Sequence, residues 1–233
     1  CHRLAVVGTT HVDKFSIERV HRTIADTRPS VVALELCEER LRTLGDKERD
    51  RLSSPLRLGL LPWLLTLLER AVGSLTDVFP GSEMLEAVEE AERVGAQVAL
   101  IDKPIGLVLQ ELRGIPLAEK VKIGIDILVA LFTIGSRRRN VLLTSTDLDE
   151  LMAEFDTKYP TLSRILVRER DRYMADRLQE ILRLSTGKIV AVVGLGHMKG
   201  ILQHLVRSEE ALSKGQLDFR YDWTLNVSAI ILG

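Results

Sequence analysis

Two kinds of hydrophobic pattern alternate along the 233-residue chain. Short runs of aliphatic and β-branched residues at 4–7, 31–36, 97–101 and 189–193 are bounded by glycine or polar residues, as buried strands are. Between these runs, apolar residues recur every third or fourth position, which indicates one face of a helix. Because strands and helices alternate, the pattern predicts an α/β fold with a mostly parallel sheet and flanking helices.

The helical pattern accounts for most of the remaining chain. The predicted helices lie at 16–26, 38–51, around Trp63, and at 82–94, 117–136, 147–156, 162–184 and 201–206, and 217–225 is predicted as an edge strand. We expect a single domain over 1–233, with a helical insertion at roughly 38–94 and 106–184. The amphipathic helices around Trp63 and Leu128 are candidates for a homodimer interface or for a lid.

One sequence pattern occurs at both ends of the chain. LAVVGTTH spans 4–11 and IVAVVGLGH spans 189–197, and in each a strand is followed by glycine and, three residues later, by histidine. Gly8 and Gly194 suit the point where the chain leaves a buried strand, since glycine adopts conformations closed to other residues. The two strand-Gly-x-x-His units therefore place His11 and His197 at equivalent positions. Either histidine alone is better explained as a turn or helix-capping residue, and it is the matching pair that makes a ligand role equally good an explanation.

Two further predicted strands end in carboxylates, Glu35 and Asp102. The carboxyl ends of parallel strands share one edge of a sheet, and ligands bind in the crevice beside it. We therefore expect both histidines and both carboxylates to line one site. Imidazole and carboxylate are common ligands of divalent metals, and a bound metal ion would activate water for hydrolysis. The structural alternatives are an arginine partner for Glu35 and a turn cap before Pro104 for Asp102.

The predicted helix 162–184 carries charges close to its apolar face. The face consists of Leu162, Leu166, Tyr173, Met174 and Ile181. The charged residues expected on or near it are Glu169, Arg170 and Arg177, whereas Arg168, Asp171 and Arg172 are expected to point away. Charges on a core-facing stripe need partners or a cavity. The alternatives are an internal salt bridge and an arginine that binds a substrate carboxylate or an oxyanion.

Composition narrows the function and the compartment. The net charge of −1 argues against nucleic-acid binding, which usually requires a strongly basic face. Two cysteines make a disulfide framework improbable and favour a reducing, cytoplasmic environment. The 4% aromatic content disfavours haem between the two histidines. No apolar run reaches the ~20 residues of a membrane span. Both ends of the chain look trimmed, and the apolar end SAIILG allows a membrane anchor beyond the C-terminus.

Longer segments carry a family resemblance. They are GTTHVDKFS (8–16), RPSVVALELCEER (28–40), GSEMLEA (81–87), GAQVALIDKPI (95–105), YPTLSRILVRERDRYMADRL (159–178) and VVGLGHMKGI (192–201). With these segments the chain resembles the TraB/PrgY family, the pheromone-shutdown or TraB-domain proteins, which belong to a wider group with the TIKI metalloproteases. The resemblance implies an α/β fold with two Gly-x-x-His motifs lining the site. Lys103 departs from the arginine of the family's DRPI-like motif and lacks its planar fork.

The resemblance implies a metal-dependent hydrolase acting on a peptide. Its site residues, carried over by motif, are His11, His197, Glu35 and Asp102 as ligands of manganese, cobalt or zinc, and Glu35, Arg40, Arg170 and Glu83 as catalytic residues. Glu35 is either a third ligand or the general base, and Arg170 or Arg40 orients the substrate or stabilises the oxyanion. Without a metal, a histidine oriented by Glu35 is the alternative base. The rival function is a non-catalytic domain that binds a peptide or tethers a membrane contact.

Overall fold

A computed structural model describes residues 3–9, 14–45, 82–134 and 145–212 of the chain. Three features predicted from the sequence lie outside the described residues. They are His11, the helix around Trp63 and the edge strand 217–225.

Within the described residues, four parallel strands form one sheet. The strands are β1 (Leu4–Thr9), β2 (Val31–Leu34), β3 (Gln97–Leu100) and β4 (Ile189–Gly194), and their order across the sheet is β1-β4-β2-β3. Leu4 and Val31 lie on either side of Ile189, and Val31 also pairs with Gln97. The predicted α/β fold with a parallel sheet is confirmed. Its two central strands, β4 and β2, pair with each other although they are far apart in sequence.

Helices surround this sheet. They are α1 (Lys14–Thr27), α2 (Glu38–Gly45), α3 (Ser82–Val94), α4 (Ile105–Arg113), α5 (Leu117–Ile134), α6 (Ser145–Lys158), α7 (Pro160–Ser163), α8 (Glu169–Leu184) and α9 (Leu195–Leu212), with a π-helical turn, Arg164–Arg168, between α7 and α8. The sequence pattern missed α4, and it placed the start of α9 at 201, six residues late. The glycines at 196 and 200 hid that start, because glycine is unfavourable inside a helix.

The sheet is buried on both faces. Alternate residues of β4 point to opposite sides: Ala191 and Val193 pack with the apolar face of α8 and α9, and Val190 and Val192 pack with α1 and α3. Every residue of β4 is buried. This explains why the strand reads as a continuous apolar run, as central strands of parallel sheets do. A separate apolar cluster joins α4, α5, α7 and the π-helical turn.

Helix α5 exposes an apolar stripe. Its side chains recur at every fourth position, at Leu117, Val121, Ile125 and Val129, and each is more than half exposed. No helix in the described ranges is long and apolar enough to cross a membrane. The homodimer interface or lid expected for this helix stays a prediction.

Candidate active site

Three polar side chains follow the carboxyl ends of neighbouring strands. Glu35 comes directly after β2, Asp102 lies two residues beyond the end of β3, and His197 is in the first turn of α9. The Glu35 N–H donates to the Val192 carbonyl at 3.0 Å, and the Asp102 N–H donates to the Leu36 carbonyl at 3.1 Å. Strand-like pairing therefore continues past the strand ends and fixes the backbone that carries these carboxylates.

Arg170 lies at the centre of this group. Its Nε and one terminal nitrogen donate to the two oxygens of Asp102 at 2.9 and 2.8 Å, a bidentate pair. The same terminal nitrogen donates to Glu35 Oε1 at 2.8 Å. The other terminal nitrogen donates to His197 Nε2 and to the Leu166 carbonyl, both at 3.1 Å. One guanidinium thus holds together residues from three strand ends.

The surroundings of Arg170 stabilise its charged form. Burial lowers the pKa of the guanidinium, but hydrogen bonds and charges from Asp102 and Glu35 outweigh burial and raise that pKa above its ordinary value. The side chain is only 14% exposed, so water screens the pairs weakly. Arg170 is therefore a permanent positive charge facing two carboxylates.

The hydrogen bonds of His197 assign its tautomer. Arginine only donates, so Nε2 must be the acceptor of the Arg170 bond. Nδ1 then carries the proton and donates it to Asp171 Oδ1 at 2.6 Å. As a result, the Nε2 lone pair faces the cluster, where Glu35 Oε1 is 3.4 Å away.

Asp171 is the main correction to the sequence analysis. It was expected to point away from the core, but it is buried on the same face of α8 as Met174 and Leu178. The π-helical turn explains the error, because the Glu169 N–H bonds the Arg164 carbonyl five residues back. The additional residue in that turn rotates everything after it relative to a continuous α-helix. Burial raises the pKa of Asp171 and outweighs the opposing effect of His197.

Gly200 makes room for Asp171. A Cβ atom at this position would lie 1.9 Å from Asp171 Oδ2, closer than any contact between the two atoms allows. Gly8 is crowded in the same way, since a Cβ there would lie 2.4 Å from Leu195 Cδ2. Gly200, three residues after His197, is therefore required because any side chain there would collide with Asp171, which holds His197.

Lys103 strengthens the connection between β3 and α8. Its ammonium lies 2.7 Å from both oxygens of Glu111 and 3.0 Å from Glu169. The adjacent residues Asp102 and Lys103 thus pair with the adjacent residues Arg170 and Glu169. Burial lowers the pKa of Lys103, but both glutamates outweigh it, and the pKa lies above its ordinary value. Lys103 thus forms salt bridges with both Glu111 and Glu169, although it lacks the planar guanidinium of arginine.

The other predicted site residues have different surroundings. Arg40, on α2, is 44% exposed and lies 3.6 Å from Asp102. Glu83 is buried in the first turn of α3. Arg177 pairs with the neighbouring Glu180 and is exposed. His11 lies outside the described residues, so the structure brings together Glu35, Asp102, Arg170 and His197, with Arg40 at the rim.

Within the described ranges, no group of three or more histidine, cysteine, aspartate or glutamate side chains has the geometry of a metal site. Imidazole and carboxylate are suitable donor types, and His197 Nε2 lies 3.4 Å from Glu35 Oε1. Both atoms accept hydrogen bonds from Arg170, so a metal ion would have to take the place of the Arg170 bond to Nε2. The hydrogen bond from His197 to Asp171 is the kind of outer contact that orients a metal-binding imidazole. Asp102 does not fit as a ligand, because Arg170 occupies both of its oxygens.

Comparisons with known proteins agree on one family. A family model described as the TraB/PrgY/gumN family matches residues 2–210. An uncharacterized protein of Methanocaldococcus jannaschii is 33% identical over 216 residues, which cover 88% of this chain and 53% of that protein. TraB domain-containing proteins of Bos taurus and Homo sapiens are 30% and 28% identical, over 85% of this chain and 61% of each relative. The chain thus spans about half to three fifths of these curated relatives.

Proposed function

This chain belongs to the TraB/PrgY/gumN family, and on that premise we propose that it is a metal-dependent hydrolase acting on peptides. One observation supports the proposal above others. His197, held by Asp171 through Nδ1, places its Nε2 3.4 Å from Glu35 Oε1 and within hydrogen-bond distance of Arg170, at the carboxyl ends of three parallel strands. That edge is where α/β proteins place their ligands.

His197 and His11 would hold the metal, which would be manganese, cobalt or zinc, and Glu35 would be either its third ligand or the general base. When bound, such an ion lowers the pKa of a water molecule and polarises the scissile carbonyl. Asp171 fixes the imidazole with Nδ1 protonated, so only Nε2 can face the ion. The Gly194 N–H donates to Glu35 Oε2 at 2.6 Å, and Oε1 accepts from Arg170 on the side of His197.

Two residues of the chain supply the remaining chemistry. Glu35 would accept the proton of the attacking water, since its Oε1 is beside the imidazole and the backbone fixes its second oxygen. Arg170 places a buried positive charge next to that carboxylate, where negative charge develops on the carbonyl oxygen during hydrolysis. Asp102 is the residue that orients the guanidinium, through the bidentate pair.

The structure favours one metal-free variant of the same reaction. In it His197 is the general base and Asp171, rather than Glu35, orients the imidazole, because the 2.6 Å bond to Asp171 fixes the required tautomer. The metal content of the protein separates the two forms.

The decisive experiment measures metal and hydrolysis together. Protein purified without chelator is analysed by mass spectrometry for bound metal, and its hydrolysis of a quenched fluorescent peptide library is recorded. We expect near-stoichiometric metal in the wild type, loss of metal in His11→Ala and His197→Ala, and full metal in His204→Ala, a histidine of α9 outside the cluster. Glu35→Gln should lower hydrolysis at least ~100-fold, the usual contribution of a general base.

Other outcomes would contradict parts of the proposal. Hydrolysis without metal, abolished by His197→Ala, would favour the metal-free form. The proposal that the protein is an enzyme is refuted if the wild type stays free of manganese, cobalt and zinc after incubation with these metals and hydrolyses no peptide. The non-catalytic alternative, a domain that binds a peptide or tethers a membrane contact, would then stand.

A further inference from the structure

The guanidinium of Arg170 uses all of its hydrogen-bond donors. An arginine side chain has five N–H groups. Here they make five hydrogen bonds, of which two go to Asp102, one to Glu35 Oε1, one to His197 Nε2 and one to the Leu166 carbonyl. Any ligand that takes one of these acceptors must therefore replace a bond that Arg170 already makes.

Two edges of this guanidinium have different partners. The edge formed by Nε and Nη2 faces the two oxygens of Asp102, at 2.9 and 2.8 Å. The edge formed by Nη1 and Nη2 faces His197 Nε2 at 3.1 Å and Glu35 Oε1 at 2.8 Å. The first edge thus anchors the side chain, whereas the second edge bonds to the two atoms that the structure offers to a metal ion.

The distance between these two acceptor atoms suits a metal ion as well as a guanidinium edge. His197 Nε2 and Glu35 Oε1 are 3.4 Å apart. Two ligands of a tetrahedral zinc ion, each about 2.1 Å from the metal, are separated by roughly the same 3.4 Å. The charge requirement is also the same, since a carboxylate oxygen and an imidazole lone pair both favour a cation.

His197 cannot bind Arg170 and a metal ion at the same time. Its Nδ1 carries the proton that Asp171 accepts at 2.6 Å, so Nε2 is the only nitrogen of the ring with a lone pair. That lone pair accepts the hydrogen bond from Arg170 Nη1. A metal bond at Nε2 and the Arg170 hydrogen bond are therefore mutually exclusive states of one imidazole.

From this exclusion we propose that Arg170 competes with the metal, so that its Nη1–Nη2 edge fills the position of the ion in the metal-free protein and must leave before an ion binds. This inference rests on the proposed metal-dependent function and adds how metal occupancy is controlled. The three bonds of Arg170 to Asp102 and to the Leu166 carbonyl involve neither acceptor atom and keep the displaced side chain beside the site. The wild type consequently binds metal more weakly than its ligands alone would.

The test compares the metal affinities of the wild type, Arg170→Gln and Arg170→Met. Each protein is stripped of metal and titrated with Zn²⁺, Mn²⁺ or Co²⁺ in competition with a chromophoric chelator. Loss of the guanidinium should tighten metal binding at least about tenfold, because the ion no longer replaces hydrogen bonds from a charged donor. If Arg170 only shaped the site or oriented a substrate, its removal would weaken metal binding or leave it unchanged.

Arg40→Met and Arg177→Met are the matched controls. Arg40→Met removes a positive charge 3.6 Å from Asp102 but leaves the bond between Arg170 and His197 in place, so metal binding should tighten less than about threefold. Arg177 pairs with Glu180 at the surface of the same helix, and its loss should leave metal affinity unchanged.

A destabilised Arg170→Met still gives an answer. Bound metal stabilises the folded state by an amount that depends on its affinity, so unfolding reports binding as well. At one fixed concentration of zinc, the urea midpoint of Arg170→Met should rise more than that of the wild type. Arg170→Gln, which retains a polar side chain next to Asp102, provides the second variant for the same comparison.

The possible results separate this inference from the proposed function. If the wild type binds metal and both Arg170 variants bind it equally or more weakly, the competition is refuted and the metal site stands. Equal tightening in Arg40→Met would also overturn the competition, because the effect would then come from charge at a distance. Metal binding by the Arg170 variants but not by the wild type would support the competition and refute metal dependence of the wild type. If none of the proteins binds metal, both proposals fail.

Discussion

Replacing Arg170 should destabilise the fold far more than replacing any exposed arginine. Arg170→Met removes one guanidinium and leaves Glu35 and Asp102 facing each other, at 4% and 6% exposure, without a cation between them. Removing one partner of a buried ion pair costs about 3–5 kcal/mol, because the other charge stays buried and unpaired. Asp102 keeps Arg40 at 3.6 Å and Glu35 keeps the Gly194 N–H, so the expected loss lies within this range, a large part of the ~5–15 kcal/mol that stabilises a domain.

The measurement is urea unfolding followed by circular dichroism, since the described part of the chain is mostly helical. Arg170→Lys keeps the charge but loses the bidentate geometry, so it should fall between wild type and Arg170→Met. Arg177→Ala on the same helix is the matched control. Its exposed pair with Glu180 should contribute less than about 0.5 kcal/mol.

A triple variant that removes all three charges of the cluster separates the loss of stability caused by unbalanced charge from the loss caused by altered packing. Glu35→Gln and Asp102→Asn in the Arg170→Met background remove both buried negative charges, and the triple variant should recover at least half of the lost stability. The reasoning is refuted if Arg170→Met loses less than about 1 kcal/mol, the typical effect of an ordinary substitution. It is also refuted if the triple variant is no more stable than the single one.

Three further predictions concern the residues that support this cluster. Gly200→Ala should lose about 1–3 kcal/mol of stability through overpacking and should reduce any hydrolysis, because the new Cβ displaces Asp171; urea unfolding and peptide assays measure both. Asp171→Asn should bind metal about 10–100-fold more weakly than wild type in a competition titration, the usual effect of removing an outer carboxylate. Lys103→Met should be less stable than wild type at neutral pH, and this difference should shrink on acidification. Burial raises the pKa of Glu169, but Lys103 outweighs burial and holds that pKa below its usual range. The stabilisation that Lys103 gives through Glu169 is therefore fully present above the unfolded pKa of about 4.3. It is lost as the pH falls through the lower pKa of the folded state.

Two of these predictions have a control on a similar element. Gly124→Ala, in the middle of α5, introduces a Cβ with nothing within 4 Å and should gain up to about 1 kcal/mol. Lys199→Met breaks an exposed pair with Asp149 and should show no comparable dependence on pH. Equal losses for the two glycine variants, or a constant difference between Lys103→Met and wild type down to acid pH, would contradict the corresponding argument.

Much of the architecture could be predicted because strands buried on both faces have a distinct pattern. Residues 31–34, before Glu35, and residues 189–193 are apolar at every position. The structure places both segments in the middle of the sheet. The carboxylates that follow the strands were identifiable for the same reason, since an acidic residue at the end of an apolar run needs a polar neighbour.

Asp171 and Lys103 could not be assigned from the sequence, for different physical reasons. The helical period assumes 3.6 residues per turn, and the additional residue of one π-helical turn is enough to bring Asp171 onto the buried face. Lys103 follows the strand in a turn, where no period applies, and its partners Glu111 and Glu169 lie on two other helices. The one available signal was that the dipeptides at 102–103 and 169–170 each place an acidic residue before a basic one.

The π-helical turn also affects how this protein must be compared with its relatives. The turn holds one residue more than a regular helix would, so a relative that folds the same helix without it has a chain shorter by one residue there. Matching the two sequences correctly then requires a gap inside a helix, at 164–168, where alignments ordinarily avoid gaps. An ungapped match would pair Arg170 and Asp171 with the wrong neighbours, and a relative with both residues in place would look as if it had lost them.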